Sequence, residues 1–221
     1  MKPKLIIFDF DGTLADTTAT ILRTYRMAIE AIGADSRTDA QCQATIGLPL
    51  KEGFRQLYPL FPETKLDECV KAYRTIFNIN KKNLVPKLYP HIKDTLNELS
   101  AMGIQMSVAS SRSRESLMEF CEANGIVGYF DLILGADDVT KAKPDPEPVL
   151  TTLKQLGQDA ADTLVVGDMP VDIAMGKGAG CATVGVTYGN ATRMELIDAG
   201  ATFIIDSFND ILSVITSLSL V

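Results

Sequence analysis

The sequence predicts an α/β fold: a doubly wound parallel sheet with an all-helical insert near its N-terminus. Short apolar, β-branched runs alternate with helical patterns along most of the chain. Their apolarity is continuous rather than alternating, which suits parallel strands covered by helices on both faces. After the first run this alternation breaks, and apolar residues recur instead at intervals of three and four.

Strands are expected at Leu5–Phe8, Gln105–Ala109, Leu132–Leu134, Thr163–Val166, Thr183–Val186 and Phe203–Ile205. Between the first two, three helical stripes follow one another. They are Ile21, Leu22, Tyr25 and Ile29, then Phe54, Leu57, Tyr58 and Phe61, then Val70, Tyr73 and Phe77. That stretch carries no strand signal, so the insert is placed at 17–82 and the sheet domain at 1–16 and 83–221, with flexible joins near 14–18 and 78–87. Two later helix starts are marked by an acidic capping residue and a proline suited to the first helical position, Asp145 with Pro146 and Asp168 with Pro170.

Hydrophobic residues make up 46% of the 221 and charged ones 22%, an ordinary balance for a chain that buries its own core without disulfides. Cys42, Cys69, Cys121 and Cys181 form no C-x-x-C pair, so they read as reduced thiols in a cytoplasmic protein. Neither a signal peptide nor a run approaching the roughly 20 apolar residues of a membrane span is read. A net charge of −7 argues against nucleic acid and anionic membranes as partners, since both call for a basic face. It leaves room for a small anionic substrate, because a bound cation can reverse the local field.

The densest chemical signal is Leu5-Ile6-Ile7-Phe8-Asp9-Phe10-Asp11-Gly12-Thr13-Leu14-Ala15-Asp16, a buried strand running into two carboxylates spaced by two. That spacing aims both toward one side of the strand end, where their repulsion calls for a cation. A lone Asp-x-Asp is equally a strand-end turn. Three later strand ends carry matching groups, however: Ser110, Lys143 before Pro144, and Asp168 after Gly167.

This ordered series, Asp9-x-Asp11-Gly-Thr-Leu-x-Asp16, Ser110, Lys143-Pro144 and Gly167-Asp168-x-x-x-Asp172, resembles the four motifs of the haloacid dehalogenase superfamily. The helical insert resembles the small mobile cap of its phosphoglycolate phosphatase and β-phosphoglucomutase branch, and the segments Ile46-Gly47-Leu48-Pro49 and Tyr188-Gly189 resemble the phosphoglycolate phosphatase group. The resemblance implies a Rossmann-like core and a Mg2+-dependent phosphatase activity on a small phosphorylated metabolite, and a monomer is the default expectation because the insert itself covers the site.

By the same resemblance, Asp9 is the nucleophile that forms an aspartyl phosphate and Asp11 the general acid and base. Mg2+ would be held by the side chains of Asp9 and Asp168 and the backbone carbonyl of Asp11. Asp172 would orient waters or Lys143 from outside the metal's own ligands. Ser110, with backbone amides near Gly12 and Ser111, would donate to phosphoryl oxygens, and Lys143 would add a fixed charge. Ser110 on its own also reads as part of a helix cap near Arg114, and Thr13 as either a phosphate contact or a support for the turn. Asp16 is expected to support the hinge. Lys141 is set aside in favour of Lys143, which directly precedes proline.

Other signals are read as structural: Gly176-Lys177-Gly178-Ala179-Gly180 as a helix end, His91 as a surface or structural residue, and Asp137-Asp138 as a loop. Arg23, Arg26, Lys51 and Arg55 could meet a substrate carboxylate, although each also reads as a solvated helix charge. Rival readings are a β-phosphoglucomutase, a pyrophosphatase and a receiver-type phosphorylatable domain. Ile21 stands where the mutases carry a hinge histidine, and Asp11 with the insert disfavours a receiver.

Overall fold

The computed structural model describes residues 2–80 and 85–219. In chain order its elements are β1 (Leu5–Phe8), β2 (Ala15–Asp16), α1 (Thr18–Ala31), α2 (Asp39–Gln43), α3 (Leu50–Leu57), α4 (Glu63–Asn80), β3 (Lys87–Leu88), α5 (Ile92–Ala101) and β4 (Gln105–Ala109). They continue with α6 (Arg114–Ala123), β5 (Leu132–Leu134), α7 (Glu147–Leu156), β6 (Thr163–Gly167), α8 (Pro170–Gly178), β7 (Ala182–Val186), α9 (Arg193–Asp198), β8 (Phe203–Ile205) and α10 (Ile211–Ser219).

Six strands form one parallel sheet in the order β5-β4-β1-β6-β7-β8. The order reverses at β1, where the chain first winds toward β5 and then crosses back to β6. This is the switch point of a doubly wound sheet, the crevice in which such folds bind ligands. All six strands lie where the sequence places them, with β6 one residue longer and β7 starting one residue earlier.

Burial on both faces explains the continuous apolarity. Ile6 and Phe8 face a core completed by Leu96, Leu99, Leu117, Phe120, Ile211 and Ile215 from α5, α6 and α10. Leu5 and Ile7 point the other way, onto Val149 and Leu153 of α7 and Met175 of α8. All four β1 side chains are fully buried, each contributing about 1.5–3 kcal/mol of transfer free energy.

The insert has a core of its own, in which Ile21, Tyr25 and Ile29 of α1 pack against Phe54, Leu57, Leu66 and Cys69 of α3 and α4. Among its described residues it is helical without strands, as expected. Its α4 outruns that core: Phe77 is buried with the sheet's own core. The joins differ from expectation, because β2 and β3 pair antiparallel, Ala15 with Leu88 and Asp16 with Lys87, and so tie the two crossings together. Two-residue strands carry no periodicity to read. The boundary at 82 and 83 lies outside the described residues.

Helix starts are mixed. Pro170 does open α8, with Met169 as its cap residue. Pro146 is the cap residue of α7, which begins at Glu147, and the Asp145 carboxylate accepts from the Glu147 amide at 3.0 Å. No helix among the described residues is long and apolar enough to cross a membrane.

Candidate active site

β1 ends at Phe8, and its ladder continues one bond further as the Asp9 amide donates to the Val166 carbonyl at 2.9 Å. Asp9 is thus held at the sheet's switch point beside the end of β6, where Asp168 follows Gly167. The two carboxylates meet a third, Asp172, one turn into α8. One oxygen from each lies within 4.8 Å of the others, and all three residues are buried.

One cation enters this cluster. Lys143 is 3% exposed, and its ammonium donates to Asp9 at 2.5 Å and to Asp172 at 2.6 Å. Its peptide bond to Pro144 is cis. Burial alone would lower the Lys143 pKa, but the Asp172 and Asp9 charges raise it above its usual value, so the residue stays charged. Lys141 is exposed and lies 3.7 Å from Asp145, as its rejection requires.

Three carboxylates against one ammonium leave negative charge uncompensated. Burial pushes the Asp9 carboxyl well above the ordinary range; Lys143 pulls it down, while Asp172, Asp168 and Asp11 push it further up. Asp168 is raised to about 7 by burial and by Asp172, against two hydrogen bonds from Asn190 that lower it. Buried hard oxygens with excess negative charge fit Mg2+, which relieves that repulsion without adding ligands of another type. The residues that would hold it are Asp9 and Asp168, joined by the Asp11 carbonyl. Asp172 is within reach of this set, but its oxygens accept from Lys143 and from the Met169 amide, which makes it a support for Lys143.

The turn after β1 is shaped by close approach. Gly12 has φ +83°, and a Cβ there would fall 2.1 Å from Asp168 Oδ2. A Cβ on Gly189 would lie 2.3 Å from the Asp168 Cβ. The expected phosphate-binding role of Gly12 is not supported: its amide donates to the Ala15 carbonyl at 2.9 Å, so the bond that closes the turn already uses it. Thr13 supports the turn, its buried hydroxyl donating to Asp168 at 3.3 Å. Asp16 is exposed on β2, away from the acidic cluster.

Ser110 follows β4 and is 7% exposed. Its hydroxyl accepts from the Arg112 amide at 3.2 Å, a local turn rather than a cap on α6. The α6 amide at Arg114 is instead satisfied by Asp137, and Asp138 pairs with Arg114, which gives both loop acids structural work. The Ser111 hydroxyl donates to the Gly47 carbonyl at 2.7 Å. Gly47 also sits close above Met169 and Val171, so the Ile46–Pro49 turn of the insert docks onto the core beside the site.

Arg112 and Asn190 are absent from the sequence expectations. The Arg112 guanidinium donates to Asp11 Oδ1 from both Nε (3.0 Å) and Nη2 (2.5 Å). Its place directly after Ser110-Ser111 was the available signal. Asn190 donates to Asp168 from its amide and side chain, and its own side-chain oxygen accepts from Thr18 and Gln43 of the insert. Only its position after Tyr188-Gly189 hinted at it.

Of the four basic residues considered as partners for a substrate carboxylate, none bonds to the acidic cluster: Lys51 pairs with Glu63 and Asp67, Arg55 with Glu52 and Glu63, and Arg26 with Asp39, while Arg23 is exposed. His91 is an exposed residue in a left-handed turn at the start of α5.

Comparison with known proteins agrees with this geometry. The family profile for haloacid dehalogenase-like hydrolases matches residues 6–186. A Dickeya dadantii protein named Probable phosphatase IndB is 38% identical, over 96% of this chain and 92% of its own. The chain belongs to the haloacid dehalogenase-like hydrolases, in their phosphatase branch.

Within that family, a phosphoglycolate phosphatase from Salmonella typhi is 30% identical over 94% of this chain and 90% of its own. A crystal structure of a haloacid dehalogenase-like hydrolase from Bacteroides fragilis superposes with a TM-score of 0.90 at 30% identity, covering 95% of this chain and all of that one. As a haloacid dehalogenase-like hydrolase, the chain presents Asp9, Ser110 and Asp168 just after β1, β4 and β6, whereas Lys143, expected at a strand end, lies well beyond β5 in the loop before α7 and reaches Asp9 from there.

Proposed function

We propose that this protein is a Mg2+-dependent phosphatase that hydrolyses a small phosphomonoester, phosphoglycolate or a close analogue, through an aspartyl phosphate on Asp9. The observation that carries this is the buried meeting of Asp9, Lys143, Asp168 and Asp172 at the sheet's switch point, with Asp11 two residues beyond the nucleophile.

Asp9 attacks phosphorus through a carboxylate oxygen, an O–P bond forms, and the bond to the leaving oxygen breaks. Asp11 hands that oxygen a proton. It then takes one from the water that attacks the aspartyl phosphate, which releases inorganic phosphate and restores Asp9. Lys143, held by Asp172, offsets charge on Asp9 and on the phosphoryl group, and Ser110 and the Ser111 amide donate to phosphoryl oxygens. Bound Mg2+ supplies the charge neutralisation that lets a carboxylate approach a phosphate dianion. The insert acts as a cap that excludes bulk water from this crevice.

The small substrate is supported by the docked turn Ile46-Gly47-Leu48-Pro49, which crowds the crevice and brings no charged side chain. Four free, buried cysteines support a cytoplasmic setting, and a cap supplied by the chain's own insert supports a monomer. Phosphate release from phosphoglycolate, pyrophosphate, sugar phosphates and nucleotides, measured with Mg2+ and with EDTA, tests the proposal. Turnover confined to small esters and lost in EDTA is expected; equal turnover in EDTA would overturn the metal assignment.

A further inference from the structure

We infer that Arg112 selects the substrate, by binding a second anionic group carried on the leaving group. This rests on the phosphatase reading above and names the substrate class of that same site.

The two sides of the crevice differ in what they hold. Lys143 stands by Asp9, where the proposed mechanism puts the transferred phosphoryl group. Asp11 acts on the leaving oxygen, so whatever hangs from that oxygen lies on the Asp11 side. Arg112 is the cation there, with Nη2 2.5 Å from Asp11 Oδ1 and a side chain only 10% exposed.

The guanidinium is held by more than Asp11. Its carbon lies 5.3 Å from the ring centre of Phe77 and 4.8 Å from that of Phe120, and Nη1 donates to the Ser116 hydroxyl at 3.3 Å. Two rings and a hydroxyl therefore fix the cation even when Asp11 turns toward a leaving oxygen. A buried arginine released by its carboxylate requires another anion. The planar, two-pronged donor suits a carboxylate or a phosphate.

Distance limits what that anion can be. A proton donor stands about 3 Å from the atom it serves, and Arg112 stands beside that donor, so its nitrogens lie within about 6 Å of the scissile oxygen. A charged hydrogen bond spans about 3 Å of this, which places the anion two or three bonds from the cleaved bond. Phosphoglycolate and pyrophosphate meet this condition. An ester of a neutral alcohol does not. The insert's Lys51, Arg55 and Arg26 are paired with the insert's own acids, so they do not compete for the role.

Because Phe77 lies on α4 of the insert and Phe120 on α6 of the core, the cation's seat is complete only when the insert is docked. Recognition of the second anion and closure of the site are thereby the same event.

The test compares kcat/KM for phosphoglycolate and pyrophosphate with that for hydroxyethyl phosphate, a neutral isostere of phosphoglycolate, in wild type, Arg112→Gln and Arg112→Lys. Wild type is expected to favour the anionic substrates by roughly ten- to a hundredfold, the worth of a hydrogen bond to a charged group. Arg112→Gln should lose most of that preference, chiefly through KM, and Arg112→Lys should recover part of it. A wild type without the preference overturns the inference even if the glutamine variant fails to fold. Equal losses on all three substrates in a folded Arg112→Gln, checked by its melting temperature, would also overturn it, reducing Arg112 to a positioning residue for Asp11. Failure of wild type to release phosphate from any of the three would instead sink the phosphatase reading itself.

Discussion

Asn190 ties Asp168, the acidic neighbour of Asp9, to the insert: its amide and side-chain nitrogens donate to Asp168 Oδ2 at 2.8 and 2.9 Å, while its side-chain oxygen accepts from Thr18 at 3.1 Å and Gln43 at 3.3 Å. One residue thus orients a carboxylate of the acidic cluster and joins it to α1 and α2 of the insert. Asn190→Ala removes the side-chain bonds to Asp168, Thr18 and Gln43 and leaves only the backbone amide bond to Asp168. Partners of this kind are typically worth 10- to 100-fold in metal affinity. The expected result is a rise of about that size in the Mg2+ concentration giving half-maximal activity or half-maximal thermal stabilisation. An unchanged Mg2+ requirement would show that Asp168 orients itself.

Asp9→Asn and Asp11→Asn should each lower phosphatase turnover by at least roughly a hundredfold, since on the proposed mechanism one removes the nucleophile and the other the proton carrier. The two differ in what accumulates. Rapid acid quench of Asp11→Asn should still trap phosphoprotein with substrates whose leaving groups need no proton, such as p-nitrophenyl phosphate, and Asp9→Asn should trap none. Wild-type-like turnover of p-nitrophenyl phosphate by Asp9→Asn would end the mechanism.

Lys143→Ala leaves Asp9 and Asp172 buried without their ammonium. Breaking a buried pair from one side costs about 3–5 kcal/mol, a loss measurable by urea denaturation. Burial already holds the Asp9 carboxyl well above its ordinary pKa, so without the ammonium it can take up a proton as the solution is acidified. The defect should therefore shrink as pH is lowered and grow again on return. A pH-independent loss would argue that Lys143 contributes packing alone.

At Gly12 the positive φ acts together with the crowding beneath it, where an added Cβ would come within 2.1 Å of Asp168. Gly12→Ala should cost at least about 1–2 kcal/mol for the backbone conformation alone and should displace Asp168 as well. Calorimetry reads the first effect and the Mg2+ dependence of activity the second. A fully active Gly12→Ala protein would mean that the turn has slack the distances do not show.

Burial raises every thiol: Cys121 to about 12, Cys181 to about 11, and Cys42 and Cys69 above their usual value, with Asp39 adding to the effect at Cys42. At about pH 8 the Cys121 thiolate is about one part in ten thousand. Native protein should react slowly with a thiol reagent and release its four equivalents on unfolding. Because the unfolded thiols ionise first, stability is undiminished below about pH 9 and falls as pH rises from there toward the folded values. Rapid labelling of Cys121 in native protein would contradict its burial.

Much of this protein was legible before any tertiary structure. The six strands follow from runs buried on both faces, a condition that leaves its mark on every residue of a run such as Leu5–Phe8. The helical insert follows from a stripe repeated three times. Asp9 and Asp168 could be assembled from strand ends because a doubly wound sheet delivers all its carboxyl ends to one edge, and Lys143 and Asp172, in the loop before α7 and the first turn of α8, were legible only as parts of the ordered motifs.

What the sequence could not determine depends on which groups meet across those connections. Arg112 looks like any basic residue before a helix until Phe77, 35 positions earlier, closes over it. Asn190 is an ordinary loop asparagine until Asp168 and Gln43 approach from opposite sides. The Gly12 amide could have faced a phosphate until the turn bent it onto Ala15. The pairing of β2 with β3 was equally hidden, since two residues hold no period. Sequence by itself determined the sheet, the insert and the acids at the switch point, because burial and repeating geometry act locally along the chain. Tertiary structure alone decided the partners of those acids, because a hydrogen bond between distant residues depends on position to a fraction of an ångström and leaves no periodic trace.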